Sequence, residues 1–133
     1  MIRAVADTHT VIWYLSGDTR LSAHARSIID LAGTNGDQVA FSASTLAEIV
    51  YLIEKGRIPG DTYTRLSRSV SSHHAVLVLI SFDATVADYL CQVERSKVPD
   101  TPDRIIAATA LSLGVPLISR DRKIQVSAVA TVW

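Results

Sequence analysis

The 133-residue chain is long enough for one domain with a sizeable core, and 48% hydrophobic residues argue against a disordered segment. No apolar run reaches the roughly 18 residues that span a bilayer, and no basic stretch precedes an apolar one at the start, so a soluble, cytoplasmic protein without membrane attachment is expected. Thirteen basic and 13 acidic residues cancel, which leaves a nucleic-acid partner neither demanded nor excluded by net charge.

Ile2 to Ala6 reads as a short buried strand, and Asp7 separates it from a helix over Thr8 to Leu15. A second helix is expected in "LSAHARSIIDLAG", with Ser22 as N-cap, Ala25, Ile28 and Ala32 on one face, and Gly33 as C-cap. "QVAFS", residues 38 to 42, is a second strand, followed by a helix from about Ser44 to Lys55 that Gly56 stops. "DTYTRLSRSV" is a more polar helix, and "AVLVLIS", residues 75 to 81, a fully buried strand. "DATVADYLCQVERS" is helical, with Cys91 expected in the core; a lone cysteine makes no internal disulfide, which fits a reducing compartment. The loop "KVPDTP" precedes the helix "DRIIAATALSLG", which ends at Gly114. "VPLIS" is a strand, "RDRK" a charged turn and "AVATVW" a closing strand.

Strands alternating with helices of this length predict an α/β domain with a mostly parallel sheet of about four to five strands, flanked by helices on both faces. In such open sheets, ligands bind beyond the carboxyl ends of the strands. Four acids recur there. Asp7 follows the first strand, Glu48 lies about one turn into the helix after the second, Asp103 opens the helix after the proline loop, and Asp121 follows "PLIS" by one residue beyond Ser119.

Each acid also has a plain structural role open to it. Asp7 and Asp103 suit N-caps or favourable helix-dipole charges, Glu48 suits a capping box with Thr45, and Asp121 suits a solvated turn. Glu48 fits its plain role least, because "LAEIVYLI" surrounds it with apolar residues. Together the plain readings weaken. Close carboxylates repel by roughly 3–4 kcal/mol per pair at an effective dielectric of ~20, so a cluster persists only with bound protons or a cation. Oxygen donors without paired His or Cys suit Mg²⁺ or Mn²⁺, and such sites serve phosphoryl transfer. The first three carboxyl groups are expected within metal-bridging reach of one another. Arg104, Arg120, Arg122 and Lys123 stand beside the acids and suit a phosphate backbone or ordinary surface charge.

"VADTHTVIWYL", "SASTLAEIVYLIEKGRI" and "PDTPDRIIAATALSLGVPLISRDRKI" resemble the PIN-domain ribonucleases, in particular the VapC-type toxins of bacterial toxin–antitoxin pairs. The resemblance runs over essentially all of residues 1–133. It implies catalytic and metal-binding roles for Asp7, Glu48, Asp103 and Asp121, with Thr8, Thr45, Arg104, Arg120 and Arg122 on the substrate side. It also implies a magnesium- or manganese-dependent endoribonuclease that cuts RNA, is silenced by a cognate antitoxin, and is usually a homodimer. Many relatives read D-P-x-D-R where this chain reads "DTPDR"; the D-x-x-D spacing is kept while the proline is displaced, leaving the part of Asp100 open. Trp13, Tyr14, Tyr51 and Leu52 exceed what one core-facing stripe uses, so at least one is expected to meet a second chain.

Three other functions remain open on the sequence. A receiver-type phosphoacceptor domain would place paired acids after the first strand and a Lys late, neither of which is present. A haloacid-dehalogenase-like phosphatase would read D-x-D where this chain reads "DTHT". A non-catalytic PIN-like binding module would keep the fold for complex formation alone.

Overall fold

The computed structural model of the chain describes residues 1–125 and 129–133. In chain order the elements are β1 (Ile2–Ala6), α1 (Thr8–Ser16), α2 (Ala23–Thr34), β2 (Gln38–Ser42), α3 (Ala43–Glu54), α4 (Thr62–Val70), β3 (Leu77–Ile80), α5 (Ala84–Tyr89), α6 (Thr101–Leu113), β4 (Leu117–Ile118), α7 (Arg122–Gln125) and β5 (Thr131–Val132). A 3₁₀ turn at Leu90–Gln92 continues α5. All strand pairs are parallel, in the order β3-β2-β1-β4-β5. The α/β expectation holds, with five strands.

Strand alternation divides the core in two. Ala4, Ala6, Val39, Phe41, Leu77 and Ile118 face a cluster that takes in Val11 and Trp13 of α1, Ile29 of α2, Ile49 of α3 and Leu66 of α4. Val5, Ala40 and Leu117 face the opposite cluster with Val86 of α5, Ile106 and Ala110 of α6, and Ile124 of α7. Helices therefore cover both faces. Because each of β1, β2 and β4 feeds both clusters, their sequences read as near-continuous apolar runs. Among the described residues no helix is long and apolar enough to cross a membrane.

The central position of β1 sets up the crevice. Its neighbours β2 and β4 are reached by connections that leave in opposite directions, which opens a gap beyond the carboxyl end of β1. The Asp7 N–H donates to the Ile118 carbonyl at 3.2 Å, so the ends of β1 and β4 are joined at that gap. Gly17 closes α1 in the left-handed conformation (φ 66°), where a side chain would be strained, and turns the chain back toward Arg20.

Several local expectations are corrected. The run at 75–81 forms an edge strand rather than a fully buried one: β3 pairs only with β2, and Leu79 is 39% exposed. An apolar run reports packing against helices, not the number of flanking strands. Cys91 is exposed, because α5 gives way to the 3₁₀ turn at Leu90 and the helical spacing that would bury it is lost. α2 runs through Gly33, leaving Asn35 as its cap. The "RDRK" turn is partly helical. The closing strand is observed at Thr131–Val132, and the start expected for it at Ala128 lies outside the described residues.

Candidate active site

The four acids reach the crevice from four segments, each for a local reason. Asp7 caps α1, its carboxylate accepting the Thr10 N–H at 2.9 Å. The capping role is therefore real, and it fixes the side chain at the end of β1. α6 starts earlier than its apolar pattern indicates. Asp100 is the N-cap, Pro102 lies in the first turn, and Asp103 is the third helical residue, its N–H donating to Asp100 Oδ1 at 3.1 Å. Asp121 follows β4; its N–H donates to Ser119 Oγ at 3.0 Å, and its Oδ1 accepts the Lys123 N–H at 2.8 Å.

Glu48 is held differently. Ser42, not Thr45, caps α3, so the capping box with Thr45 is absent. The Thr8 hydroxyl donates to Glu48 Oε1 at 2.7 Å, and Thr8 Oγ1 lies 3.1 Å from Thr45 Oγ1. A hydroxyl has one proton, and that of Thr8 is committed to the carboxylate, so Thr45 is the donor in the second bond. Both threonines are buried, at 3% and 0% exposure. The chain Thr45 to Thr8 to Glu48 thus joins α3 to the start of α1 and sets the direction of the Glu48 carboxylate.

One cavity of about 420 Å³ collects these groups. Asp7, Thr8, Glu48, Asp100, Asp103 and Asp121 line it, together with His9, Trp13, Arg20, Arg120 and Trp133. Burial raises the Asp103 carboxyl first, and Asp100, Glu48, Asp121 and Asp7 raise it further, to about 7. Glu48 is also raised by burial, but the Thr8 hydrogen bond pulls it back. No carboxylate of the cavity makes an ion pair among the described residues. Nor do any three acidic, histidine or cysteine side chains among the described residues close into a cage around one point. The bridging reach expected of Asp7, Glu48 and Asp103 is thus not realised as a closed set. Asp7 and Glu48 are each fixed by a hydrogen bond from a different donor, the Thr10 N–H and the Thr8 hydroxyl.

The expected basic residues divide. Arg120 lines the cavity, its guanidinium 4.6 Å from the centre of the Trp13 ring. Arg104 is engaged elsewhere, donating to the Val93 carbonyl at 3.2 Å and the Leu90 carbonyl at 2.9 Å, where it fastens the 3₁₀ turn to α6. Arg122 is exposed on α7 and is not among the lining residues. Thr45 lies one hydrogen bond behind the cavity. The sequence places His9 near the site, two residues from Asp7, but does not single out Arg20, Trp13 or Trp133 for the cavity. The D-x-x-D spacing is the available signal for Asp100; nothing local marks Arg20, which arrives through the turn after α1.

Of the four residues expected to meet a second chain, Trp13 is buried and Leu52 packs on the core. Tyr14 donates its hydroxyl to Asp30 at 2.8 Å and is half-buried. Tyr51 is 54% exposed beside Val50 at 43%, an apolar patch on the outer side of α3.

Similarity to known proteins agrees with this architecture. Ribonuclease VapC22 of Mycobacterium tuberculosis is 28% identical to this chain over 125 residues, covering 94% of the chain and 92% of that protein. VapBC2 from Rickettsia felis, solved bound to a DNA fragment from their promoter, has a TM-score of 0.73 at 19% identity. DNA-bound VapBC from Salmonella typhimurium has a TM-score of 0.73 at 21% identity; each match covers 99% of this chain and 98% of the other. At those identities the two structures speak for the fold alone. A family model described as PIN domain matches residues 4–129, a span that contains all four acids and nearly every element of the sheet, and the chain belongs to the PIN domain family.

Proposed function

We propose that this chain is a VapC-type toxin, a magnesium- or manganese-dependent endoribonuclease whose nuclease domain occupies residues 1–133 and which works in the cytoplasm. One observation carries the reading: carboxylates from the N-cap of α1, from α3, from α6 and from the segment after β4 line a single cavity, without any neutralising ion pair among the described residues. Such a wall of oxygen donors fits a hydrated divalent cation, because Mg²⁺ keeps several waters and takes few direct carboxylates. Asp7, Glu48, Asp103 and Asp121 would hold it. When bound, the cation supplies Lewis-acid polarisation of a phosphate and activation of a water nucleophile.

The chain's own residues do the rest. Thr8 and Thr45 keep the Glu48 carboxylate pointed into the cavity. Asp103, with a pKa raised to about 7, exchanges a proton near neutral pH and is poised to release it when positive charge arrives. Arg120 offers a guanidinium to the phosphate backbone. The named relatives suit a toxin held by an antitoxin, and the exposed Tyr51 and Val50 on α3 offer an apolar surface for that partner or for a second copy of this chain.

Purified protein should cut RNA with Mg²⁺ or Mn²⁺ and stop on EDTA addition. The products should carry 5′-phosphate and 3′-hydroxyl ends, because water rather than the ribose 2′-OH attacks. A 2′,3′-cyclic phosphate in the product mass spectrum rules this chemistry out, and metal-independent or absent cleavage overturns the proposal.

A further inference from the structure

The cavity is bipolar. Its floor is acidic, yet two arginines stand at its edge without an ion pair to any floor acid among the described residues. Arg20 lies 5.1 Å and Arg120 4.6 Å from the centre of the same Trp13 ring. Trp13 is itself fixed: it is 5% exposed, in edge contact with Trp133 at 6.0 Å and tilted against His9 at 5.4 Å. The carboxylate that Arg20 does hold is Asp18, which lies outside the cavity and grips Nε and Nη2 at 2.8 to 3.2 Å. That grip fixes the guanidinium plane and leaves the Nη1 donors for a ligand.

Arg20 and Arg120 line the same cavity as five carboxylates, yet among the described residues neither pairs with any of them. Stacking on a buried indole holds them back by cation–π attraction. The arrangement suits a ligand that is itself divided, with one centre at the acidic floor and further anionic groups along the rim. A polyribonucleotide has that form. We infer that Arg20 and Arg120, mounted on Trp13, bind the phosphates flanking the one that is cut, and so set which bond of the strand lies over the floor. This rests on the nuclease reading and adds to it a two-point rim, in which Arg20 binds substrate and Trp13 is a positioning residue.

The test compares two substrates, a pentaribonucleotide and a dinucleoside monophosphate, which contains a single phosphodiester and no flanking phosphates. With Mg²⁺, Arg20→Ala and Arg120→Ala should each lower kcat/KM on the pentanucleotide by about tenfold, mainly through KM. The slope of log(kcat/KM) against log[salt] should shrink by about 0.7 for each phosphate no longer neutralised. On the dinucleoside monophosphate, which has no flanking phosphates, each variant should lose clearly less than it loses on the pentanucleotide. Arg20→Lys should fall between, since charge remains while stacking and the fork are lost. Arg68→Ala, at an exposed position of α4, should leave both substrates unchanged. Equal losses on both substrates, or no loss on the pentanucleotide, overturns the rim. Wild-type protein that cuts neither substrate with Mg²⁺ or Mn²⁺ overturns the nuclease reading itself, a distinguishable failure.

Discussion

Glu48 and Asp103 share one cavity, both half-buried and both raised by burial, yet they are held in different ways. Glu48 has a buried hydroxyl chain behind it, Thr45 to Thr8 to carboxylate, that fixes its direction and favours its charge. The Asp103 carboxyl, raised first by burial, has no such bond to pull it back, and the charges that raise it further, from Asp100, Glu48, Asp121 and Asp7, are all negative. One side of the site is therefore built in advance by packing. The other is set by charge, and its state depends on the protons or cations that reach it.

Activity should show the largest effect. Asp7→Asn, Glu48→Gln and Asp103→Asn should each lower RNA cleavage by more than about a hundredfold, beyond what loss of an outer hydrogen-bond partner costs. Asn at position 7 can still cap α1, so the metal-free melting temperature of that variant should hold. Asp7→Ala, which removes cap and ligand together, should also lose roughly 0.5–2 kcal/mol of stability. A large drop in melting temperature for both Asp7→Asn and Glu48→Gln would instead mark the acids as structural.

Thr8→Val tests the built side. Loss of the 2.7 Å hydrogen bond should reduce cleavage by about ten- to a hundredfold and raise the Mg²⁺ concentration that cleavage requires, with Thr45→Val smaller in the same direction. Equal activity in wild type and Thr8→Val would mean that the buried hydroxyls do not orient Glu48.

pH sharpens the other side. Asp103 rises from an ordinary 3.8 to about 7 on folding, so its protonated form favours the folded state. That contribution is complete below the ordinary value and is lost as pH climbs through about 7. Metal-free protein should therefore melt at progressively lower temperature from about pH 4 to about pH 7, and Asp103→Asn should flatten the decline. Adding Mg²⁺ at the alkaline end should restore stability in wild type more than in the variant. An identical pH slope in the two proteins would mean that Asp103 does not change its protonation across this range on folding.

The smallest effect belongs far from both carboxylates. Cys91→Ser should change stability by no more than about 0.5 kcal/mol in a thermal melt, as befits an exposed residue. A loss of several kcal/mol would restore its place in the core.

Much of this is readable in one dimension. β1, β2, α1, α3 and α6 are visible because apolar period and, after α3 and α6, a glycine agree locally, although the caps of those two helices, Ser42 and Asp100, are not the ones expected; the placement of Asp7, Glu48 and Asp121 after their strands follows from chain order alone. Chain order also carries the expectation of a parallel sheet, since helices of crossover length leave few other connections. What it does not carry are relations between distant segments. That β3 ends the sheet depends on which strands pair, not on its own β-branched run. That Thr45 serves Glu48 through Thr8 depends on α1 and α3 meeting across 37 residues of sequence. Arg20 and Arg104 show the point in opposite directions. The arginine beside a site acid in sequence fastens a turn, while one in an unmarked loop is brought to the cavity by Gly17 and the Trp13 ring. Periodicity and capping are local energies and leave a trace in local sequence; hydrogen bonds, stacking and charge repulsion between segments exist only once the sheet has brought those segments together.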